Sequence, residues 1–106
     1  MEDMIKIKLT KVSERSDAEV PNNIQEGEYR IGYVHKYNIK PLVGKSYVIP
    51  QVEQINDESV SPIFHYFYTS QVIEILYNVW NMNEPPSDWA GCTFKTLNSI
   101  YKVELL

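Results

Sequence analysis

The two histidines and the single cysteine are the residues of this chain best suited to catalysis or metal binding. His35, His65 and Cys92 lie far apart in sequence, and none belongs to a metal-ligand motif of recognised spacing. Asp57, Glu58 and His65 could meet at one ion, but an acidic loop supplies such triplets by chance. Cys92 and a histidine could form a nucleophile–base pair, although a small buried thiol is the commoner arrangement. We therefore expect a non-enzymatic protein without metal or cofactor.

A Gly-Lys-Ser triplet at residues 44–46 resembles the end of a phosphate-binding loop. The upstream glycine that such a loop requires is missing, and Pro41 stands where its spacer residues would be. The residues after Ser46 have the pattern of a strand, whereas a phosphate-binding loop leads into a helix. The sequence therefore argues against a nucleotide-binding loop, and it also lacks the G-x-S-x-G motif of hydrolases.

The segment between Trp80 and Cys92 is the best candidate for an interaction surface. It contains two adjacent prolines and Trp89. Tryptophan on a loop is typical of residues that dominate binding energy at interfaces, and a proline pair lowers the ordering cost of binding. Alternatively, Trp80 and Trp89 could fold back and close one end of the domain. The candidate binding residues are all aromatic: Trp80, Trp89, Tyr33, Tyr37 and Tyr68.

Two segments rich in β-branched and aromatic residues must supply most of the framework, namely Tyr66–Trp80 and Thr93–Leu106. The first could be a helix with Ser70 as N-cap, but its valine and isoleucine content favours a strand. In the second, Thr93–Thr96 and Ser99–Leu105 are predicted to form a hairpin across Leu97 and Asn98. That register places Phe94 opposite Tyr101.

The N-terminal half predicts three shorter strands: Met4–Val12, Glu28–Asn38 and Lys45–Ile49. In the first, Lys6 and Lys8 alternate with apolar residues, so we expect them on a wet face or a sheet edge, and an edge leaves room for a symmetric dimer. In the second, Gly32 predicts a bulge or bend. The tyrosines of this strand are expected in the core, although they could also be a stacking platform for bases.

Polar segments rich in turn-forming residues separate these strands. The sequence predicts loops at Ser13–Gly27, Pro50–Pro62 and Asn81–Gly91.

Two short patterns in the C-terminal half carry a family resemblance. Thr69-Ser70-x-Val72-x-Glu74-Ile75 and Phe94-x-Thr96-x-Asn98-Ser99-x-Tyr101 are similar to patterns in small uncharacterised β-domain proteins of bacteria, phages and mobile elements. The resemblance covers about a third of the chain. It departs at Gln71, where proline is more usual, and at Leu97, where a basic residue is usual. It implies that both segments are neighbouring strands of a compact β domain, and it implies no activity.

Composition and charge limit the class of protein. At 106 residues with 43% hydrophobic side chains, the chain is expected to form one domain, residues 1–106. Its net charge of −4 disfavours nucleic-acid binding, which needs clustered Lys and Arg. The lone cysteine, the absence of a signal-peptide pattern and the lack of a bilayer-length apolar run predict a soluble cytoplasmic protein.

Together these features predict a mostly-β fold: a small, partly open β-barrel or sheet roll of OB or SH3-like size, with five to six strands and at most one short helix. The expected core comprises Phe67, Ile73, Ile75, Phe94, Tyr101, Val103, Ile5, Ile7, Leu9 and Ile31. The function expected first is a protein-binding accessory module, in the phage or mobile-element setting that the resemblance implies. The alternative is an OB-like single-stranded nucleic-acid-binding domain that uses Tyr29, Tyr33 and Lys36.

Overall fold

The β-branched and aromatic segments form extended strands throughout the computed structural model, which describes residues 3–14, 24–78 and 91–106. Helix is confined, among these residues, to a 3-10 turn at Lys36–Asn38. The strands in chain order are β1 Met4–Glu14, β2 Tyr29–His35, β3 Ser46–Ile49, β4 Gln51–Ile55, β5 Glu58–Ser59, β6 Phe67–Asn78, β7 Gly91–Thr96 and β8 Ser99–Leu105. The mostly-β class and the strand at Thr69–Leu76 are thus confirmed.

All eight strands belong to one sheet in the order β3-β6-β7-β8-β1-β2-β4-β5, and every neighbouring pair is antiparallel. The sheet curls into a half-barrel and does not close. The expectation of five to six strands was wrong because β4 and β5 lie in the segment predicted as the loop Pro50–Pro62. β4 has the sequence QVEQI and β5 has the sequence ES, so neither shows the alternation of apolar and polar residues that predicts a strand. In the structure only Val52 of β4 is fully buried, and β5 is exposed.

The concave side of the sheet holds the core. Five of the expected core residues are fully buried: Ile7, Leu9, Phe94, Tyr101 and Val103. Ile5, Phe67 and Ile75 are partly buried against them. Ile24 and Ile39, which lie outside the strands, are also fully buried and were missed. Isolated apolar residues in polar segments carry no periodic signal, so only the tertiary packing reveals them.

β-bulges in β6 change which of its residues face the core. The pairing with β7 shifts register between Val72 and Glu74 and again between Ile75 and Tyr77. Val72 is buried and Ile73 is only half-buried, whereas uninterrupted alternation would have buried Ile73. A shift of one residue moves side chains to the opposite face of a sheet, so the predicted face of this strand was wrong at Ile73.

The buried face of β2 is also opposite to the predicted one. Gly32 and Val34 face the core, whereas Ile31 and Tyr33 are half-buried on the other side. A Cβ at Gly32 would overlap the carbonyl oxygen of Gln51 and lie 2.7 Å from Ile49 Cγ2. The β2–β4 pairing shifts register between Ile31 and Gly32, with the extra residue, Glu53, on β4, so the irregularity predicted at Gly32 lies in the partner strand. Glycine is needed here because the backbone of Gln51 and Val52 at the start of β4 approaches too closely for a side chain.

β1 lies inside the sheet, paired with β2 on one side and β8 on the other. The edge position considered for Lys6 and Lys8 was therefore wrong. Both lysines lie on the partly exposed outer face, where Lys6 forms an ion pair with Glu53 at 2.6 Å and Lys8 lies 4.4 Å from the ring centroid of Tyr29. A β1 edge therefore does not support the symmetric dimer, which stays a prediction.

The predicted C-terminal hairpin is confirmed, with Phe94 opposite Tyr101. Its turn is held by the buried Thr96, whose hydroxyl lies 2.9 Å from the Ser70 hydroxyl and accepts from the Ser99 amide at 3.0 Å. Ser70, Thr96 and Ser99 belong to the two sequence patterns that carry the family resemblance. In this chain they therefore have a structural role, since they tie the hairpin to β6.

Pro50 connects β3, at one edge of the sheet, to β4, which lies near the other edge. The polypeptide chain makes this connection, and strand pairing does not. β3 pairs with β6, and β4 pairs with β2. Proline has no amide hydrogen and cannot continue a ladder, so the chain turns a corner there. On the β3 side of this corner, β2 and β3 come into contact without pairing. We call this unpaired junction the β2–β3 seam.

Candidate binding surfaces

Exposed apolar side chains are concentrated in one part of the chain. Among the described residues, eight of the twelve exposed large hydrophobic residues lie between positions 37 and 68: Tyr37, Leu42, Val43, Val48, Ile63, Phe64, Tyr66 and Tyr68. Isolated exposed apolar residues are normal on protein surfaces, but a concentration of them is typical of interaction sites.

Two of the exposed tyrosines and an exposed valine lie together at the pairing of β3 with β6. Tyr66 and Tyr68 are 69% and 60% exposed, and their rings are stacked with centroids 6.0 Å apart. Val48 is the cross-strand partner of Tyr68. Phe67, between the tyrosines, packs instead against the core. We call Val48, Tyr66 and Tyr68 the tyrosine face, and it includes one of the predicted binding residues, Tyr68.

A rigid turn leads into the tyrosine face. The Phe64 amide donates to the Ser61 carbonyl at 3.1 Å, and His65 Nδ1 lies 2.9 Å from the same oxygen. The turn exposes Ile63 and Phe64 by 84% and 79%. Sequence analysis missed both residues, although two large apolar residues directly after Pro62 were an available signal.

The structure does not bring the three predicted tyrosines together. Tyr33 is half-buried on the outer face of β2, whereas Tyr68 is exposed on β6 and stacks on Tyr66. Tyr37 is exposed on the 3-10 turn, with its ring 5.1 Å from that of His35. The predicted residues Trp80 and Trp89 lie outside the described residues, so the interaction loop stays a prediction.

A cavity of about 320 Å³ opens at the β2–β3 seam. Its buried wall is apolar and includes Val34, Pro41 and Tyr47, while Leu42, Val48 and Pro50 lie at its exposed rim. Val48 thus belongs to both the cavity and the tyrosine face. The volume is at the lower end of the range of about 300–1,000 Å³ that is typical of small-ligand pockets.

The polar lining of the cavity is basic. Lys40, Lys45 and His35 contribute to its wall together with Asn38 and Ser46, and none of the described residues that line it is acidic. His35 Nδ1 accepts a hydrogen bond from the Tyr37 amide, which places the proton of the neutral ring on Nε2. The nearest carboxylate described for this wall is that of Asp3, 4.0 Å from His35 Nε2 and 3.3 Å from Lys36 Nζ.

Hydrogen bonds fix the loop that forms one wall of the cavity. Tyr47 donates from its hydroxyl to the Ile39 carbonyl at 2.7 Å, and burial raises the pKa of this phenol well above its ordinary value. The Lys45 amide donates to the Leu42 carbonyl at 3.2 Å, with Gly44 at φ +96° in the third position of the turn. Such turns need a positive φ there, which glycine adopts without strain.

The Gly-Lys-Ser triplet does not form a phosphate-binding loop. Ser46 begins β3 rather than a helix, and the amides of Gly44 and Lys45 already donate to the carbonyls of Val72 and Leu42. This geometry agrees with the sequence analysis, which argued against a phosphate-binding loop. However, Lys45 and Ser46 both line the cavity, a role that the sequence did not indicate.

The remaining groups of chemical interest among the described residues are the Cys92 thiol and the His65 ring. Burial raises the pKa of the Cys92 thiol to about 11, so it is protonated at neutral pH and is a poor nucleophile. His65 is engaged at Ser61, away from the cavity lining. Within the described part of the chain, no group of three or more His, Cys, Asp or Glu side chains could hold a metal ion.

The residues considered for single-stranded nucleic acid lie beside carboxylates. Tyr29 donates to Asp57 at 2.6 Å, and Lys36 pairs with Asp3. Tyr29 begins β2 and Lys36 follows its end, so the two side chains are far apart on the strand. The arrangement provides no continuous positive track for a phosphate backbone.

Comparisons with family models, curated proteins and solved structures find no match to this chain. No helix in the described ranges has the length and apolar character needed to cross a bilayer. The fold and its surfaces therefore define a mostly-β domain with an exposed aromatic face and a basic cavity beside it.

Proposed function

We propose that this protein is a non-enzymatic protein-binding module whose contact surface is the tyrosine face together with the Ser61–His65 turn. The observation that carries the proposal is the concentration of exposed large apolar residues at positions 37–68. Burial of such side chains in an interface is favourable by about 25 cal/mol per Å² of apolar surface.

The surface is suited to a protein partner because its members are held in place before binding. Tyr66 and Tyr68 support each other by stacking, and Val48 is fixed by its pairing with Tyr68. Hydrogen bonds to the Ser61 carbonyl order the turn that carries Ile63 and Phe64. Aromatic anchors on an ordered backbone lose little conformational entropy on binding, so more of the contact energy remains as affinity.

The test compares partner capture by matched variants from native cells. Tagged wild-type protein and a Phe64→Ser/Tyr68→Ser variant are used as baits, with Leu97→Ser as a control at an exposed apolar residue on the hairpin turn. We expect a partner that the wild type and the control retain and that the double variant loses, with the same result when the purified components are mixed. Identical capture by all three baits would refute this contact surface.

The tryptophan loop is tested with the same assay. A Trp89→Ala bait that loses the same partner would extend the contact surface to this loop. Retention of the partner by Trp89→Ala, together with its loss by Phe64→Ser/Tyr68→Ser, would limit the surface to β3, β6 and the turn before β6.

A further inference from the structure

The edge strand β3 has unused backbone hydrogen-bonding groups on the side that faces the β2–β3 seam. The Tyr47 amide donates to the Thr69 hydroxyl on β6, and the Lys45 carbonyl also accepts from β6. Backbone groups along a strand alternate in direction, so the N–H and C=O groups of Ser46 and Val48 point away from β6. On that side they form no backbone hydrogen bond with a described residue.

The cavity lies where β2 and β3 diverge from the corner at Pro50. Near the corner the strands are in contact, since a Cβ at Gly32 would lie 2.7 Å from Ile49 Cγ2. Farther from the corner, His35 on β2 and Ser46 on β3 both line the cavity. The free edge of β3 therefore borders an open groove, and in the described part of the chain no strand covers it.

An extended polypeptide segment fits this edge. Two N–H and two C=O groups at alternate residues match the backbone of an antiparallel strand. The side chain opposite Tyr47 would enter the cavity and meet the buried residues Val34 and Pro41, because Tyr47 itself faces inward. The side chains before and after it would lie on the outer face beside Val48, and so continue the tyrosine face.

The two ends of β3 limit the added segment and favour an acidic residue at one end. Pro50 has no amide hydrogen and β3 begins at Ser46, so about three residues are able to pair. Lys45 is exposed just before the strand and forms no ion pair with a described residue. An acidic side chain at the end of the segment that approaches Lys45 would complement this charge.

We propose that an extended segment of a partner protein adds to the seam edge of β3 as an antiparallel strand, with one apolar side chain in the cavity and an acidic residue beside Lys45. This inference rests on the proposed function in taking the ligand to be a protein, and it specifies the conformation and chemistry of the bound segment. Main-chain hydrogen bonds supply affinity, and the cavity and Lys45 supply specificity.

Synthetic peptides test the pairing on the full-length protein. The probe is acetyl-Thr-Val-Leu-Thr-Glu-amide, whose valine, leucine and second threonine are placed opposite Val48, Tyr47 and Ser46. In a ¹H–¹⁵N NMR titration the amides of Ser46 and Val48 should shift and become protected from hydrogen exchange. Aspartate in place of the leucine should weaken binding about tenfold or more, because it sets a charge against an apolar wall. No shift at these amides at millimolar peptide, with either leucine or phenylalanine at this position, would overturn the proposal.

N-methylated peptides separate strand pairing from simple binding in an apolar groove. Methylation of the second threonine's nitrogen removes the N–H that donates to the Ser46 carbonyl, whereas the leucine N–H points away from β3. The first change should weaken binding about fivefold or more, and the second should have a smaller effect. Equal affinities of the two methylated peptides would contradict strand addition. Glutamine in place of the glutamate should weaken binding about twofold to fivefold, and Lys45→Gln should remove that difference.

Proline variants test the edge from the side of the protein. Val48→Pro removes an amide that points toward the seam and leaves the pairing with β6 in place. It should weaken the leucine peptide about fivefold or more. Val48→Thr keeps the amide and should retain binding, as should Ser59→Pro on the opposite edge strand, β5. Unchanged peptide affinity in a folded Val48→Pro protein would refute the pairing, and if this variant does not fold, the methylated peptides decide.

Partner capture distinguishes this inference from the proposed function. Loss of the captured protein by Phe64→Ser/Tyr68→Ser, with its retention by folded Val48→Pro, would keep the contact surface and exclude strand addition. Identical capture by every bait would refute the contact surface, while the peptide titrations still decide whether the edge accepts a strand. A dimer in analytical ultracentrifugation that Val48→Pro abolishes would assign the edge to a second copy of this chain and overturn the proposal.

Discussion

The hydroxyl of Tyr47 donates a 2.7 Å hydrogen bond to the backbone carbonyl of Ile39, and both residues are buried. This bond fastens the segment after the 3-10 turn to β3. The segment between the two residues carries Lys40, Leu42 and Lys45, so the bond holds one wall of the cavity. The same contact thus serves both the core and the candidate ligand site.

Tyr47→Phe should destabilise the protein by about 1–3 kcal/mol, because it leaves a buried carbonyl without a donor. Urea unfolding monitored by circular dichroism measures the effect. Tyr68→Phe, at an exposed tyrosine, is the control and should stay within about 0.5 kcal/mol of the wild type. Equal stability of Tyr47→Phe and wild type would show that the Ile39 carbonyl does not depend on this bond.

Gly32→Ala should cost about 1–3 kcal/mol or more, because the added methyl would overlap the backbone of Gln51 and lie 2.9 Å from Val52 Cα. Gly44→Ala meets no atom within 4 Å, but its φ of +96° should still cost about 1–2 kcal/mol. Hydrogen exchange separates these effects: Gly32→Ala should weaken protection in β2 and β4, and Gly44→Ala in the β3–β6 pair. A Gly32→Ala protein as stable as wild type would contradict the close approach.

Thr96→Val should destabilise the hairpin by about 1–3 kcal/mol, because it removes the buried hydroxyl bonded to Ser70 and Ser99 while keeping the side-chain shape. Thr10→Val, at a half-buried strand position, is the control. Urea unfolding measures both variants, and equal stabilities would show that the threonine network contributes nothing.

The stability should fall as the pH rises from about 9 to about 11. The Cys92 pKa is raised from its ordinary value of 9.0 to about 11 by burial, so the unfolded thiol ionises first and the folded state binds the proton more tightly. The contribution of the protonated Cys92 thiol to the free energy of unfolding is complete below pH 9. It is lost as the pH rises through 11, with a slope on the order of 1 kcal/mol per pH unit. Urea midpoints at pH 8, 9.5 and 10.5 measure it. Cys92→Ala should show a shallower decline, and an equal decline would assign the effect to other groups.

A labelled single-stranded oligonucleotide should not bind at micromolar protein and low salt, because Tyr29 and Lys36 lie beside Asp57 and Asp3. Fluorescence anisotropy tests this expectation under the conditions that most favour phosphate contacts. Binding that Lys36→Gln weakens would support the nucleic-acid alternative instead.

Local sequence patterns were sufficient for one hairpin and insufficient for another. The hairpin of β7 and β8, including Phe94 opposite Tyr101, follows from a two-residue turn between alternating segments. The predictions failed for β4 and β5, although these two strands are also neighbours in the chain and pair with each other. β4 and β5 have little apolar content of their own, and β4 is a strand because it pairs with β2. Likewise, Ile24 and Ile39 reach the core from non-strand segments without a periodic pattern.

The candidate sites, like the fold, were only partly predicted from the sequence. The sequence predicted Tyr68 as a tyrosine that could extend an interaction surface around the Trp80–Cys92 segment, and it rejected the Gly-Lys-Ser triplet as a phosphate loop. It did not identify the tyrosine face or the cavity. Tyr68 and Val48 meet through β3–β6 pairing, and Lys40 and Lys45 become cavity residues only because β3 lies against β2 without pairing.

The sequence by itself determined that this chain forms β-strands, since β-branched and aromatic residues favour extended backbone and the apolar alternation has a period of two. Only the tertiary structure decided which side of β2 and β6 is buried, and that an unpaired seam opens beside Pro50. The reason is geometric. Bulges change the faces of β6 without changing its composition, β2 carries large residues on both of its faces, and a cavity depends on where distant segments meet.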